Sequence, residues 1–187
     1  IEARIEEIDK FVDELKNNKF KVDNIGVQET KIITDDSDSY FFSLNEIVLR
    51  QKELNTLVLD VKIDDVFLET AVGDGLLIST SFGSTAYNLS FGGSIVYNTF
   101  HTLQITPIAP LNNKSYRSLL NSVILPENKV ISLLPQRNRD LLITIDGENK
   151  YYENVIKVET VVDKKRINCL RRKGYNFVEK INEKILK

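Results

Sequence analysis

Apolar residues recur at helical spacing only near the two ends of the chain. At the start, Ile5, Ile8, Val12 and Leu15 stand three and four apart, with Glu2, Glu6, Asp9, Asp13 and Lys16 on the other faces. That is the pattern of an amphipathic helix. Asn17 and Asn18 interrupt it, and asparagine commonly ends helices, so the spacing predicts a helix over residues 1–19. A helix this short is marginal in water by itself, and its expected role is packing. Toward the other end, Phe177, Ile181 and Ile185 fall four apart on one face and predict a second helix over 176–187.

Between these ends the texture is short and β-rich. Strands are expected at 21–33, 40–50, 56–63, 66–70, 76–80, 102–108, 130–134, 141–145, 155–161 and 167–170. Asp64-Asp65 and Asp146-Gly147 read as hairpin turns between alternating runs. The stretch from Asp35 to Ser39 is a polar loop, and no internal repeat is visible. Many short strands with few helical patterns between them favour an antiparallel sandwich over a βαβ fold. The expected fold is mainly β, with an N-terminal bridging helix over 1–19, a sandwich-like body over 20–170 and a basic C-terminal helix over 171–187.

Composition adds exclusions. With 187 residues the chain is long enough for one continuous core. Its 25 basic and 27 acidic side chains leave a net charge of −2, which argues against a nucleic-acid coat. The charge is uneven: residues 164–187 hold nine basic and two acidic side chains, +7, so the remainder carries −9. Such a run is usually a solvated face; the sharper alternative is a surface for acidic or phosphorylated partners. No apolar run approaches the roughly 20 residues of a membrane span. The single cysteine, Cys169, allows no internal disulfide, and the single histidine, His101, allows no multi-histidine or Cys/His zinc site. A cytoplasmic location is expected. The chain begins with Ile1 and contains no methionine, so it is expected to derive from a longer product.

One stretch concentrates small and polar residues. It opens with Gly73-Asp74-Gly75, continues through an Ile/Ser/Thr strand into Gly83-Ser84-Thr85-Ala86-Tyr87-Asn88, and closes on Ser90 and Gly92-Gly93. Small residues let a backbone approach a ligand, and helix N-termini favour phosphate. The hydroxyls of Ser84, Thr85 and Ser90 offer neutral donors, and Tyr87 a flat ring. Each element has a plainer reading. Asp74 between glycines suits a turn aspartate, Asp146-Gly147 a hairpin, and Asn45-Glu46 a solvent-facing pair in a strand.

The order of these elements resembles the C-terminal half of the NAD kinases, the ATP- or polyphosphate-dependent family. Leu44-Asn45-Glu46-Ile47 is similar to that family's Asn-Glu element. The segment 103–109 followed by Asn112-Asn113-Lys114-Ser115-Tyr116-Arg117 resembles its Thr-Pro strand and Asn-Asn-x-x-Tyr-Arg segment, while Val123-Ile124-Leu125-Pro126 and Thr144-Ile145-Asp146-Gly147 match later landmarks. The resemblance implies transfer of a phosphoryl group from ATP or polyphosphate, with Mg²⁺ or another divalent cation, to the 2′-hydroxyl of the adenosine ribose of NAD. It implies that Asn45 and Glu46 take the adenine and ribose side, that Asp74 accepts from the nicotinamide carboxamide, and that Thr85, Ala86, Tyr87 and Ser90 line the dinucleotide. It places Asp146 near the reacting ribose. Ala109 and Tyr116 would reach a neighbouring subunit's site in a homodimer or homotetramer. No metal ligand, nucleic acid or membrane is implied for this chain.

Departures qualify the match. The family usually has Thr-Pro-Ser/Thr-Gly where this chain has Thr80-Ser81-Phe82-Gly83, and His-Pro where it has Tyr97-Asn98. The family's Gly-Gly-Asp-Gly loop, whose aspartate is the proposed base, is nowhere among these residues. The chain is therefore expected to be the NAD-binding domain without the catalytic-loop domain, to contain no catalytic residue and to be inactive alone. The alternatives are the C-terminal domain of a diacylglycerol- or sphingosine-type lipid kinase, or a non-catalytic NAD-binding oligomerisation module.

Overall fold

Twelve strands carry about half of the chain in a computed structural model that describes residues 5–53 and 55–187. They are β1 (Phe20–Thr34), β2 (Asp38–Ser43), β3 (Glu46–Gln51), β4 (Leu57–Ile63), β5 (Val66–Gly73), β6 (Gly75–Thr80), β7 (Thr102–Ile108), β8 (Val123–Pro126), β9 (Ile131–Pro135), β10 (Leu141–Ile145), β11 (Glu148–Tyr152) and β12 (Val155–Arg172). Three short helices, α1 (Ile8–Lys16), α2 (Tyr87–Ser90) and α3 (Phe177–Ile181), complete the inventory, with 3₁₀ turns at Ile5–Glu7 and Phe82–Thr85 and a π turn at Asn182–Leu186. The expected helical positions 1–4 lie outside the described residues.

The strands form two six-stranded sheets, ordered β2-β1-β12-β9-β4-β5 and β11-β10-β3-β6-β7-β8. The fold is mainly β and antiparallel, as the strand pattern implies. One apolar cluster fills the space between the sheets. Ile32, Leu59, Val61, Ile131, Leu133 and Val158 come from the first sheet, and Ile47, Leu49, Leu76, Ile78, Leu103 and Ile143 from the second. Each such side chain taken out of water contributes about 1.5–3 kcal/mol. β6 is buried at all six positions, because its second face is covered too. Val48, Leu77 and Ile108 on the outer side of the second sheet meet Phe91, just beyond α2.

The described chain divides into two compact units, Gly26–Lys165 and, together, the residues up to Ile25 with Arg166–Lys187. The division runs through β1 and β12, not at the helix ends where composition changes. Within the smaller unit the basic tail meets acidic partners. Arg172 donates to Glu14 through Nε at 2.7 Å and Nη2 at 2.9 Å and to Glu7 at 3.4 Å, and Arg171 donates to Asp23 at 3.1 Å. The hydrogen bond from Arg172 holds the Glu14 carboxyl below its ordinary range. Asn176 caps α3 by accepting from the Val178 N–H. Along the apolar stripe of this segment Ile5, in the preceding turn, and Ile8 and Val12 of α1 are exposed, while Leu15 is half-buried.

Three expected strands change shape. The run 40–50 is two strands in different sheets, β2 paired with β1 and β3 with β6 and β10. Its break at Leu44-Asn45 exists because those amides turn away to a side-chain acceptor, described below. The runs 155–161 and 167–170 join into the single strand β12. Lys164, Lys165 and Arg166 do not interrupt it, since neighbouring strand side chains point to opposite faces. Both expected hairpins form: Asp64 and Asp65 have φ of 49° and 64°, and Asp146 and Gly147 of 46° and 88°, the positive-φ pairs of two-residue hairpin turns.

Candidate functional site

Where the chain passes from the first sheet to the second, three successive amides converge on one carboxylate. Leu44 N–H donates to Asp146 Oδ2 at 2.7 Å, and Asn45 and Glu46 donate to Oδ1 at 2.8 and 3.1 Å. Asp146 thus serves both its own hairpin and the Asn45-Glu46 corner. With the backbone pinned, the Asn45 carboxamide is left without a partner among the described residues. Glu46 is 6% exposed, and its Oε2 is buried with no hydrogen-bond partner among the described residues. Burial, seconded by the nearby Asp146 charge, raises the Glu46 carboxyl to about 7, against a smaller opposing effect of the neighbouring Tyr87 backbone N–H. A buried acceptor lacking a donor is costly, and it is the feature of this corner that calls for a ligand.

The next segment lies on the outer face of the second sheet. Gly83 is obligatory there, since a Cβ would fall on the Asn45 carbonyl. Thr80 donates to the Leu44 carbonyl at 2.5 Å. Beneath α2 a buried polar network sets the path: Thr106 Oγ1 donates to Asn88 Oδ1 at 2.7 Å, the Asn88 amide donates to the Ser84 and Ser94 carbonyls, and Ser84 exchanges hydrogen bonds with Val96. Ser84, offered by composition as a ligand hydroxyl, is buried scaffold instead. The hydroxyls of Thr85 and Ser90 stay unpaired within the described residues, with Ser90 exposed. Ala86 precedes α2, and the Tyr87 hydroxyl accepts from Arg50 Nη2 at 3.0 Å. Within the departing run Thr80–Gly83, Ser81 donates its N–H to the Thr102 carbonyl at 3.2 Å, and Phe82 opens the 3₁₀ turn half-buried.

Asp74 lies at the other end of β6, the six residues of which span about 17–20 Å. It is the one-residue corner between β5 and β6. A Cβ on Gly73 would sit 2.7 Å from the Ile108 carbonyl oxygen, and one on Gly75 would sit 2.8 Å from that of Leu49. The glycines therefore answer to close strand approach, and Asp74 projects from between them. Its N–H donates to Ile108 at 3.0 Å, while its exposed carboxylate has no partner among the described residues. The turn reading, in which that carboxylate bonds its own backbone, is not what forms. Ala109, exposed and at φ 46°, follows directly. Tyr116, on the same loop, accepts from Arg137 at 2.9 Å and has its N–H held by Asn113 at 3.0 Å.

The structure thus gathers Asn45, Glu46 and Asp146 at one end of the second sheet and lays the segment bearing Thr85, Ala86, Tyr87 and Ser90 over its outer face, with the Tyr87 hydroxyl reaching Arg50. It sets Asp74 and Ala109 at the other end, with Tyr116 farther along the loop. Arg50 escaped the sequence reading, which gave Asn88 and Thr106 no role of their own. The available signal for Arg50 was its period-two phase with Glu46 and Val48. His101 lies at the surface, 3.5 Å from Glu127.

The model of the ATP-NAD kinase C-terminal domain family matches residues 44–167. The chain belongs to that family. It is 39% identical over 175 residues to an NAD kinase of Finegoldia magna, covering 90% of this chain and 64% of that one. It is 37% identical over 179 residues to an NAD kinase of Streptococcus agalactiae, covering 95% and 64%. It therefore spans about 64% of the length of these relatives. Among solved structures, yeast NADH kinase complexed with NADH superposes at a TM-score of 0.84 with 26% identity, over 96% of this chain and 53% of that one. An Archaeoglobus fulgidus NAD kinase in complex with ATP superposes at 0.70 with 16% identity, over 87% and 59%, a likeness of fold alone. Membership in the NAD kinase C-terminal family sets aside the lipid-kinase alternative.

Proposed function

We propose that this chain is the dinucleotide-binding part of an NAD kinase, an enzyme that transfers a phosphoryl group from ATP or polyphosphate to the 2′-hydroxyl of the adenosine ribose of NAD, giving NADP. The observation that carries this reading is the buried, unpartnered Glu46 oxygen beside the unpartnered Asn45 carboxamide. Ribose hydroxyls supply the donors that Glu46 lacks, and an adenine edge can pair with the carboxamide. Asp146 acts on this end through the three amides it fixes. Thr85, Ala86, Tyr87 and Ser90 line the path along the sheet. Asp74, the free carboxylate at the far end, accepts from the nicotinamide carboxamide. Two anchors set one strand length apart suit a dinucleotide better than a mononucleotide. The family names of the relatives, and the NADH in the yeast complex, support the same assignment.

The phosphate donor of such an enzyme brings Mg²⁺ or another divalent cation, whose charge stabilises the transferring group. In this reading the residues named above serve the acceptor. This chain's part is to bind and orient the ribose; the Gly-Gly-Asp-Gly aspartate, absent from the 187 residues, is the base in this proposal. Ala109 and Tyr116 extend toward a second subunit of a homodimer or homotetramer, the open stripe of α1 packs on further parts of the protein, and the enzyme works in the cytoplasm.

Ligand-observed NMR titration tests the pocket. NAD is expected to bind this chain in about the millimolar range, since contacts from the rest of the enzyme are missing and each 1.4 kcal/mol is tenfold. Asp74→Asn removes a charged acceptor and is expected to weaken NAD about tenfold or more, while AMP, which has no nicotinamide, binds as before. Equal weakening of both compounds would show that Asp74 supports its loop and does not touch the ligand.

A further inference from the structure

Tyr87 lies against one strand. Its backbone N–H faces the Glu46 carboxyl and its hydroxyl accepts from Arg50 Nη2 at 3.0 Å. Glu46 and Arg50 stand four apart in β3, which puts them on the same face of the sheet about 13 Å apart. The guanidinium carbon of Arg50 lies 5.6 Å from the Tyr87 ring centre and 5.5 Å from that of Phe91. The two rings meet edge to face at 4.7 Å and 74°. Gly75 leaves room for this arrangement, since a Cβ there would stand 3.0 Å from Arg50 Cγ. No carboxylate pairs with Arg50 among the described residues, so its charge is directed at the aromatic pair. Tyr87 keeps 39% of its surface open, and it sits on a helix of four residues, too short to order a side chain by itself.

We propose that Arg50 is a positioning residue for dinucleotide binding: its guanidinium fixes the Tyr87 ring, by hydrogen bond and by stacking, in the orientation the ligand meets. The proposal rests on the reading of Tyr87 as part of the dinucleotide site. A ring ordered before the ligand arrives spares the complex the cost of ordering it. Arg50 achieves this from beneath the ring, at a position with no ligand role in the reading above. Lysine cannot reproduce it, because a point charge lacks the planar stack and the fixed donor direction.

The test is a double-mutant cycle on the full-length gene product, read as NAD affinity by titration, with urea unfolding run in parallel. Arg50→Gln is expected to weaken NAD about threefold to tenfold, and Arg50→Lys to fall between it and the wild type. In the Tyr87→Ala background, already weakened, Arg50→Gln is expected to change nothing further, because no ring remains to be positioned. Weakening by the same factor in both backgrounds would overturn the proposal and make Arg50 a direct contact or a general support of the fold. So would an undiminished affinity in Arg50→Gln alongside a weakened Tyr87→Ala. If Tyr87→Ala itself binds NAD normally, the site reading fails first and the proposal falls with it. Should Arg50→Gln unfold, Arg50→Lys enters the same cycle with the same criterion.

Discussion

Glu46 shows how much one side chain owes to its surroundings. Its carboxyl is raised to about 7 from an ordinary 4.5 because the protein removes water from it and sets Asp146 nearby. A carboxyl raised in the folded state contributes stability that is fully present below about 4.5 and lost as pH climbs through about 7. Glu46→Gln, which never ionises, removes that slope. Urea unfolding at pH 5 and pH 8 should therefore show the variant gaining on the wild type at the higher pH; a constant difference would mean that Glu46 ionises as a surface carboxylate does. Asp146 is the complementary case, a charge whose work is done through three amides. Asp146→Ala is expected to cost about 1–2 kcal/mol and to shift the amide NMR signals of residues 44–46 more than those of the sandwich core. Asp146→Asn, which keeps the turn preference and one acceptor oxygen, should do less.

At the level of elements, the candidate site is made by two places where the chain changes sheets, Leu44-Asn45 and Asp74, and by the segment laid over the second sheet. The glycines separate by what surrounds them. Gly83 seats that segment on the Asn45 carbonyl, so Gly83→Ala forces backbone apart and is expected to cost at least the 1–3 kcal/mol of overpacking. Gly92 has open space but φ of 75°, and Gly92→Ala should cost only the roughly 1 kcal/mol of left-handed strain. Thermal unfolding of the two variants would rank them; equal losses would contradict the close approach at Gly83. The loop bearing Tyr116 is tied down twice, by Glu69 accepting from Leu119 N–H at 2.7 Å and by Ser118 accepting from Val72 N–H at 2.9 Å. Glu69→Ala should speed hydrogen exchange at Leu119 while leaving that of β6 unchanged.

For the molecule as a whole, the sandwich is one apolar core, and the function proposed for it reaches past its own surface. The chain alone is expected to form no NADP from NAD and a phosphate donor, because none of the residues gathered here replaces the Gly-Gly-Asp-Gly loop. A coupled NADP assay on the 187 residues checks this, and turnover above background would relocate the catalytic groups within them. Self-association is expected from the exposed Ala109–Tyr116 region, and light scattering at tens of micromolar would reveal it; a strict monomer would count against subunit-bridging roles for those two residues.

Much of this was legible in the order of residues. Alternating runs set most of the strands, the Asp64-Asp65 and Asp146-Gly147 pairs set two hairpins, and the sequence of short motifs set the family, because each depends on neighbours along the chain. The break at Leu44-Asn45 was not legible, since the acceptor that turns those amides aside is Asp146, about a hundred residues later. Nor could local pattern assign Ser84 to the interior and leave Thr85, one residue on, only half-buried, or couple Arg50 to Tyr87. The reason for Gly73 and Gly75 lies in strands that approach from elsewhere. Periodicity reports which face of an element is apolar; only the packed sheets decide which polar atoms find partners and which, like the Glu46 oxygen and the Asp74 carboxylate, have none among the described residues.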